Sequence, residues 1–256
     1  MAIYLLKKSY QLKDLKEVNF KDLWGDHGVF TTMWIYDSSP KILFFKKHIN
    51  NLIKSAKTYK ILKTSIKTNI LKILKKNIHN KKKYNHLLRI ALNKNTLSVS
   101  LRKRIKPSLN FNLKLVNLKR QKPEFKNLKY KKILRYLSKL DNSKSDIALC
   151  SNKKIFETGT SNILFIKDEK VFSPVSKFYK GITYKFFKSK IKNIIEKDIK
   201  INSLKEFDEI ILIGSGKGVA SVKTINQIKW KRKSLKFYNI FLRQYNLAIN
   251  NCPTYR

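Results

Sequence analysis

The sequence has little cysteine and no long apolar segment. Its two cysteines, Cys150 and Cys252, match neither a disulfide framework nor a zinc site, so we expect a reduced, cytoplasmic protein without a metal. No stretch approaches the roughly 18 uncharged apolar residues that are needed to span a bilayer. The first residues, MAIYLLKKSY, contain too short an apolar run for a secretory signal. The sequence therefore predicts no membrane association.

Negative charge is also scarce, since 16 Asp and Glu face 58 Lys and Arg and the formal net charge is +42. Such a charge could attract nucleic acid, and a non-catalytic basic nucleic-acid-binding protein is a minor alternative. However, only eight of the basic residues are Arg and the lysines are spread along the chain, whereas nucleic-acid surfaces more often cluster charge and use Arg. We favour the composition of an AT-rich genome as the cause and expect a small anionic ligand.

The 256 residues, of which 42% are apolar, are enough to bury a core. Apolar and β-branched patterns predict strands at 28–36, 41–45, 87–92, 97–101, 113–118, 147–150, 163–166, 171–173 and 209–213, and helices at 46–76, 130–140 and 181–197. This order predicts a mixed α/β protein with mostly antiparallel sheets. We expect a small N-terminal subdomain at 1–120, a linker at 121–126 and a larger C-terminal subdomain at 127–256.

Two glycine-containing segments could bind a phosphate. Gly214-Ser215-Gly216-Lys217-Gly218 follows a buried strand but lacks both the Walker ending and the glycine spacing of dinucleotide sites. Gly181-Ile182-Thr183 opens a helix whose first N–H groups have no partner within the helix. Taken singly, these segments are better explained as a tight turn at the end of a strand and as an ordinary helix start.

Glu157, in FETGTSN, is one of few carboxylates and lies beside an apolar strand. A carboxylate near a core needs a positive or hydrogen-bonding partner, so Glu157 is a candidate functional group. The alternative is an ion pair with one of the many lysines.

These signals occur in an order that resembles a known family. FETGTSNILFIKDEKVFSP, then KGIT, then DEIILIGSGKGVASVKTI are similar to the C-terminal half of fold-type IV pyridoxal phosphate enzymes, the class IV aminotransferase family. WGDHGVFTTMWIYD and KKHINNL resemble its N-terminal half. The resemblance implies pyridoxal 5'-phosphate as cofactor, a homodimer, and a small anionic substrate.

The resemblance also implies catalytic roles. Lys129, in Asn127-Leu128-Lys129, matches the lysine that carries the cofactor and moves the substrate proton, with Lys126, Lys131 and Lys132 as alternatives. Glu157 matches the carboxylate that pairs with the pyridine nitrogen.

The cofactor phosphate is expected to contact the two glycine-containing segments. Ile182 and Thr183 match backbone donors at the helix start, and Ser215, which follows Gly214, matches a hydroxyl donor. Asn51, three residues after His48, replaces the phosphate-binding Arg of the family, and Lys54 could restore the charge.

Two other positions depart from the family pattern. His27 interrupts its Gly-Asp-Gly, and Tyr184 stands where an Arg usually follows Gly-Ile-Thr.

The substrate pocket is expected to include Phe30, Thr32 and Gly216, with Thr32 as a proton donor. Branched-chain enzymes usually have Phe-Glu-Gly where this chain has Phe30-Thr31-Thr32, which looks closer to aminodeoxychorismate lyase. The short chain favours the same reaction, the release of 4-aminobenzoate and pyruvate in folate biosynthesis. A branched-chain or D-amino-acid aminotransferase is the alternative.

Overall fold

The chain folds into two units, each with its own sheet. The structure, a computed structural model, describes residues 3–61, 65–80, 82–191 and 193–255. The first unit comprises Met1–Arg104, Phe125–Tyr130 and Ile249–Arg256, and the second comprises Ile105–Glu124 and Lys131–Ala248. Within the described ranges, no helix is long and apolar enough to cross a membrane.

The first unit contains a six-stranded antiparallel sheet in the order β2-β1-β6-β5-β3-β4. Its strands are β1 (Tyr4–Gln11), β2 (Glu17–Val18), β3 (Gly28–Asp37), β4 (Lys41–Ile42), β5 (Tyr84–Asn93) and β6 (Thr96–Lys103). Two helices, α1 (Phe45–Thr58) and α2 (Ile66–Asn77), follow β4.

The helices cover one face of this sheet because their apolar residues repeat at helical spacing. Ile49 and Leu52 of α1 share a buried core with Met33 and Ile35 of β3. Side chains alternate along a strand, so Thr32 and its neighbours at even numbers lie on the opposite face. The helix-free face of the first sheet therefore carries Phe30 and Thr32, two of the three residues expected to line the substrate pocket.

The second unit contains a ten-stranded mixed sheet in which β12-β11-β10-β14-β15-β7-β8-β9-β13 lie side by side and β16 pairs with β15. Its strands are β7 (Phe111–Asn117), β8 (Ser145–Ser151), β9 (Lys154–Thr158), β10 (Asn162–Lys167), β11 (Lys170–Ser173), β12 (Ile194–Glu196), β13 (Ile199–Lys200), β14 (Glu209–Gly214), β15 (Gly218–Ile225) and β16 (Trp230–Lys231). Its helices are α3 (Lys131–Leu137), α4 (Ile182–Lys190) and most of α5 (Lys236–Asn250), with short 3-10 turns at Ile201–Glu206 and Asn226–Ile228.

Strands β10 and β14 are apolar on both faces and lie inside the sheet, with almost every residue buried. Three strand pairs of this sheet are parallel, and the others are antiparallel. The prediction of a mixed α/β fold with mostly antiparallel sheets is confirmed.

Three predicted elements differ in length from the strands and helices of the structure. The strand at 41–45 is only two residues long, because α1 already begins at Phe45. The helix at 46–76 is two helices, with 62–64 outside the described residues. The helix at 181–197 ends at Lys190, because β-branched Ile194 and Ile195 continue as a strand parallel to β11.

The unit boundaries also differ from the predicted linker at 121–126. Strand β7 belongs to the second unit because it pairs with β8 and β15 there. Residues 125–130 return to the first unit, where Asn127 forms a bridge with Val29. The sequence alone does not reveal this pairing, since its partners are far apart along the chain.

Candidate active site

A short segment around Lys126 is held against the start of β3. The amide of Phe30 donates to the Lys126 carbonyl at 2.9 Å, and the amide of Leu128 donates to the Gly28 carbonyl at 3.0 Å. A Cβ at Gly28 would lie 2.2 Å from the Leu92 carbonyl oxygen, so only glycine allows this approach. The backbone of Lys126 is therefore fixed beside Phe30.

Three aromatic rings cluster beside this lysine. The ring centroids of Trp24 and Tyr130 lie 4.8 and 5.4 Å from that of Phe30, both edge-on. The ammonium of Lys126 lies 5.1 Å from the Phe30 centroid. The predicted pocket residue Phe30 thus lies in an aromatic cluster, with a cation over its ring.

Lys129, the predicted cofactor lysine, occupies a different environment. It is exposed, and its ammonium donates to the Gly25 carbonyl at 2.7 Å. Lys131 and Lys132 are also exposed and begin α3 in the second unit. Of these four lysines, Lys126 is the one that lies over the Phe30 ring.

Arg89 lies directly opposite Thr32 on the same face of the first sheet. Its guanidinium stacks on Trp24 at 4.2 Å, and its Nη2 donates to the Asp22 carbonyl and carboxylate at 2.6 and 3.2 Å. The residue is 9% exposed, and its Nε has no hydrogen-bond partner among the described residues. Burial lowers the pKa of Arg89. A buried N–H without a partner is costly, and an anion placed there would satisfy it.

His48 is buried behind β3. Its Nδ1 lies 2.7 Å from the Thr31 hydroxyl, and burial, helped by the charge of Lys126, lowers its pKa to about 3. The imidazole is therefore neutral near pH 7. One turn along α1, Asn51 is half-buried and Lys54 is exposed.

In the second unit, Glu157 is buried in an ion pair with Arg120. Arg120 Nε donates to Oε1 at 2.6 Å and Nη2 donates to Oε2 at 3.3 Å, with both side chains at most 6% exposed. The amide of Tyr179 also donates to Oε2 at 3.3 Å. These donors stabilise a charged carboxylate on β9.

The start of α4 is shaped by Asn162. The Asn162 Oδ1 accepts from the Gly181 amide at 3.1 Å, and its Nδ2 donates to the Tyr179 carbonyl at 2.6 Å. A Cβ at Gly181 would lie 2.8 Å from that Oδ1, so the position favours glycine. Ile182 and Thr183 then form the first turn, where the helix dipole and N–H groups attract anions.

The glycine-rich turn lies next to this helix start. Ser215 Oγ is 3.3 Å from Thr183 Oγ1, which brings the two predicted phosphate contacts together. Gly214 pairs with Gly218, so Ser215, Gly216 and Lys217 form the loop between β14 and β15. A hydroxyl pair at a helix N-terminus fits a phosphate group.

The departures at His27 and Tyr184 have separate packing roles. His27 Nε2 lies 3.1 Å from the Tyr59 carbonyl, with its ring near that of Tyr59. Tyr184 is buried, and its hydroxyl lies 3.0 Å from Ser173 Oγ and donates to Glu196 at 3.3 Å. His27 is exposed, whereas Tyr184 fills space inside the second unit.

The sequence patterns did not identify Arg89 and Arg120 as candidate site residues. Both are buried, although the chain has only eight Arg among many exposed basic residues. A signal was present for Arg89, which interrupts an otherwise apolar strand, LLRIAL. Arg120 lies in a basic loop segment and carries no comparable signal.

The sequence profile of the family described as amino-transferase class IV matches residues 28–225. The chain belongs to the class IV aminotransferase family. The predicted family, and with it a pyridoxal-phosphate-dependent enzyme, are confirmed, and both the lyase and the aminotransferase alternatives fall within it. A search of curated proteins found no match.

Several solved structures share this fold. A hypothetical aminotransferase from Mycobacterium tuberculosis is 14% identical with a TM-score of 0.72, over 94% of this chain and 98% of the other. A putative 4-amino-4-deoxychorismate lyase from Legionella pneumophila is 17% identical, with a TM-score of 0.69 and coverages of 87% and 91%. The Escherichia coli branched-chain amino acid aminotransferase is 15% identical, with a TM-score of 0.73 and coverages of 96% and 94%.

Proposed function

We propose that this class IV enzyme is a lyase that converts 4-amino-4-deoxychorismate to 4-aminobenzoate and pyruvate. The observation that carries the proposal is the environment of Thr32 and Phe30. Trp24, Phe30 and Tyr130 offer aromatic surface, and the buried Nε of Arg89 lacks a hydrogen-bond acceptor among the described residues. A ring that bears a carboxylate satisfies both features, whereas a branched aliphatic side chain would use only apolar contacts.

The residues of the second unit fit pyridoxal phosphate. The hydroxyls of Thr183 and Ser215 and the first amides of α4 would hold its phosphate, and Glu157 would face its pyridine nitrogen. When bound, the cofactor supplies an electron sink for the bond-breaking step. Arg120 would keep Glu157 ionised and oriented.

Within the first unit, Lys126 is our choice for the lysine that carries the cofactor, in place of Lys129. The Lys126 ammonium lies over the Phe30 ring, and its charge helps to lower the pKa of buried His48. The ammonium of Lys129 instead donates to the Gly25 carbonyl at an exposed position. A lysine that lies beside the reacting carbon can act as a base.

The reaction is an elimination that needs no second substrate. Lys126 would remove the proton from the carbon that carries the substrate amine, the ring would become aromatic, and the bond to the enolpyruvyl oxygen would break. Thr32 would donate or relay the proton that completes pyruvate. Arg89, opposite Thr32, would bind a substrate carboxylate.

An aminotransferase is the second candidate. It is favoured by the fold similarity to structures described as branched-chain aminotransferases, at TM-scores of 0.73 and 0.75. Such an enzyme requires a 2-oxo acid as a second substrate.

Product analysis separates the two reactions. The purified protein, loaded with pyridoxal phosphate, is given 4-amino-4-deoxychorismate or, separately, leucine with 2-oxoglutarate. A lyase yields equal amounts of 4-aminobenzoate and pyruvate without any 2-oxo acid. If glutamate forms from leucine and no 4-aminobenzoate appears, the lyase proposal is wrong.

We also propose a cytoplasmic homodimer. The free thiols of Cys150 and Cys252, both buried, suit a reducing compartment. Sedimentation of the purified protein tests the dimer, and a mass near 30.2 kDa at micromolar concentration would contradict it.

A further inference from the structure

Asp146, on β8, lies at the centre of a buried polar network in the second unit. Its Oδ1 accepts from the Ile147 amide at 2.7 Å. Its Oδ2 accepts from the hydroxyls of Thr158 and Thr160 at 3.0 and 2.6 Å. Asp146 is 0% exposed, so these donors replace water around its carboxylate.

Lys217 supplies the opposite charge from the glycine-rich turn. Its ammonium lies 3.3 Å from Asp146 Oδ2 and 4.3 Å from the centre of the Phe111 ring. The side chain is 8% exposed. Most ion pairs among the described residues, such as Lys154–Asp198 and Lys167–Glu206, lie at the surface. Because both charges are desolvated, removal of one leaves the other poorly compensated.

The network joins the two chain segments that carry the proposed cofactor contacts. Thr158 directly follows Glu157 on β9, and Lys217 lies two residues after Ser215 in the turn. Asp146 contacts both segments. Since the cofactor has a fixed separation between its ring nitrogen and its phosphate, the carboxylate and hydroxyl that bind these groups must keep a matching separation.

We infer that Asp146 and Lys217 are positioning residues that hold the Ser215 turn in place relative to Glu157 for binding of the cofactor phosphate. This inference rests on the proposed function. Neither side chain needs to touch the cofactor, because each acts through its neighbour in the chain. The placement of Ser215 matters more here than in an enzyme with the family's Arg, because Asn51 stands at that position.

The test compares two ligands that differ only in the phosphate. Dissociation constants of pyridoxal phosphate and pyridoxal are measured by absorbance titration for the wild type, Lys217→Met, and Asp146→Asn/Lys217→Met. Misplacement of Ser215 weakens phosphate contacts alone, so we expect pyridoxal phosphate affinity to fall about tenfold or more. We expect pyridoxal affinity to change less than about twofold, which is within the scatter for unaffected contacts.

Glu209→Gln is the matched control. Glu209 is also a buried carboxylate, but it lies at the end of β14 that is farther from the Ser215 turn. It accepts hydrogen bonds from the Phe237 and Tyr238 amides at 2.8 and 2.9 Å. We expect this variant to lose stability without a change in the ratio of the two dissociation constants. If Lys217→Met fails to fold, the double variant, which removes both charges, gives the same comparison.

The outcomes are distinguishable. An unchanged ratio in the Lys217 variants, with wild-type binding intact, would show that the pair only stabilises the fold and would overturn the inference alone. If the wild type binds neither ligand, the proposed function fails and the inference fails with it.

Discussion

Arg120 Nε donates to Glu157 Oε1 at 2.6 Å, and both side chains are almost fully buried. The pair therefore fixes a negative charge in the second unit at the position that sequence resemblance gives to the partner of the pyridine nitrogen. Because removal of one member leaves an uncompensated buried charge, we expect Arg120→Met to lower the free energy of unfolding by about 3–5 kcal/mol. Urea denaturation measures this loss. Lys154→Met, which breaks an exposed pair with Asp198, should cost at most about 1 kcal/mol.

Glu157→Gln tests the catalytic role of the same pair. The amide keeps the shape of the carboxylate but no longer favours a protonated pyridine nitrogen, so we expect turnover to fall by about tenfold or more, a loss of about 1.4 kcal/mol of transition-state stabilisation. Steady-state kinetics with saturating pyridoxal phosphate provide the measurement. If Glu157→Gln turns over as fast as the wild type, Glu157 has no catalytic role and serves only as the ion-pair partner of Arg120.

Arg89 is expected to bind the substrate in addition to its contacts with Trp24 and Asp22. Since its Nε has no partner among the described residues, Arg89→Met should raise the KM for an anionic substrate by roughly tenfold to a hundredfold. The variant also loses the hydrogen bonds to Asp22 and the stacking on Trp24, so we expect a lower thermal stability beside the change in KM. Arg104→Met, which removes a guanidinium that stacks on Trp34 at 4.0 Å, is the control and should leave KM unchanged. An unaltered KM in Arg89→Met would argue against a carboxylate site beside Thr32.

The buried His48 gives the fold a pH dependence with a defined sign. Its ordinary pKa is 6.5 and its folded pKa is about 3, so below pH 6.5 the unfolded chain binds more protons than the folded one. The contribution of the neutral His48 imidazole to the free energy of unfolding is complete above pH 6.5 and falls as the pH decreases towards 3. We expect the difference in unfolding free energy between the wild type and His48→Gln to fall by about 2 kcal/mol from pH 7 to pH 5. A constant difference would indicate that His48 takes up a proton while the protein stays folded.

Asn51→Arg should restore a charge-assisted contact to the cofactor phosphate. We expect tighter binding of pyridoxal phosphate, by about 1–3 kcal/mol, and no gain for pyridoxal, which lacks the phosphate. Lys54→Met in the wild-type background tests whether that exposed lysine already supplies the charge. No gain in Asn51→Arg together with a loss in Lys54→Met would show that it does.

Local sequence patterns predicted much of the fold, because β14 and β10 are apolar runs of strand length that end at glycine or polar turns. The contacts between Thr183 and Ser215 could be expected from the family resemblance. The partner of Glu157 could not, because Arg120 lies 37 residues away in a loop that has no periodic pattern.

The choice among neighbouring lysines is another feature that depends on contacts between residues far apart in the sequence. Lys126 and Lys129 are three residues apart in a basic stretch, and only the resemblance of Asn127-Leu128-Lys129 to the family favours Lys129 in the sequence. Their environments are set by a long-range contact, the pairing of residues 126–128 with the start of β3. A pattern read along the chain does not contain that information.

The most direct test of the central claim is to find where the cofactor attaches. The protein is incubated with one equivalent of pyridoxal phosphate, reduced with borohydride, digested and mapped by mass spectrometry. We expect the pyridoxyl group on Lys126, with labelling lost in Lys126→Met and kept in Lys129→Met. A label on Lys129 would contradict the assignment of Lys126, and the absence of a label on any lysine would contradict the conclusion that this chain is a pyridoxal phosphate enzyme.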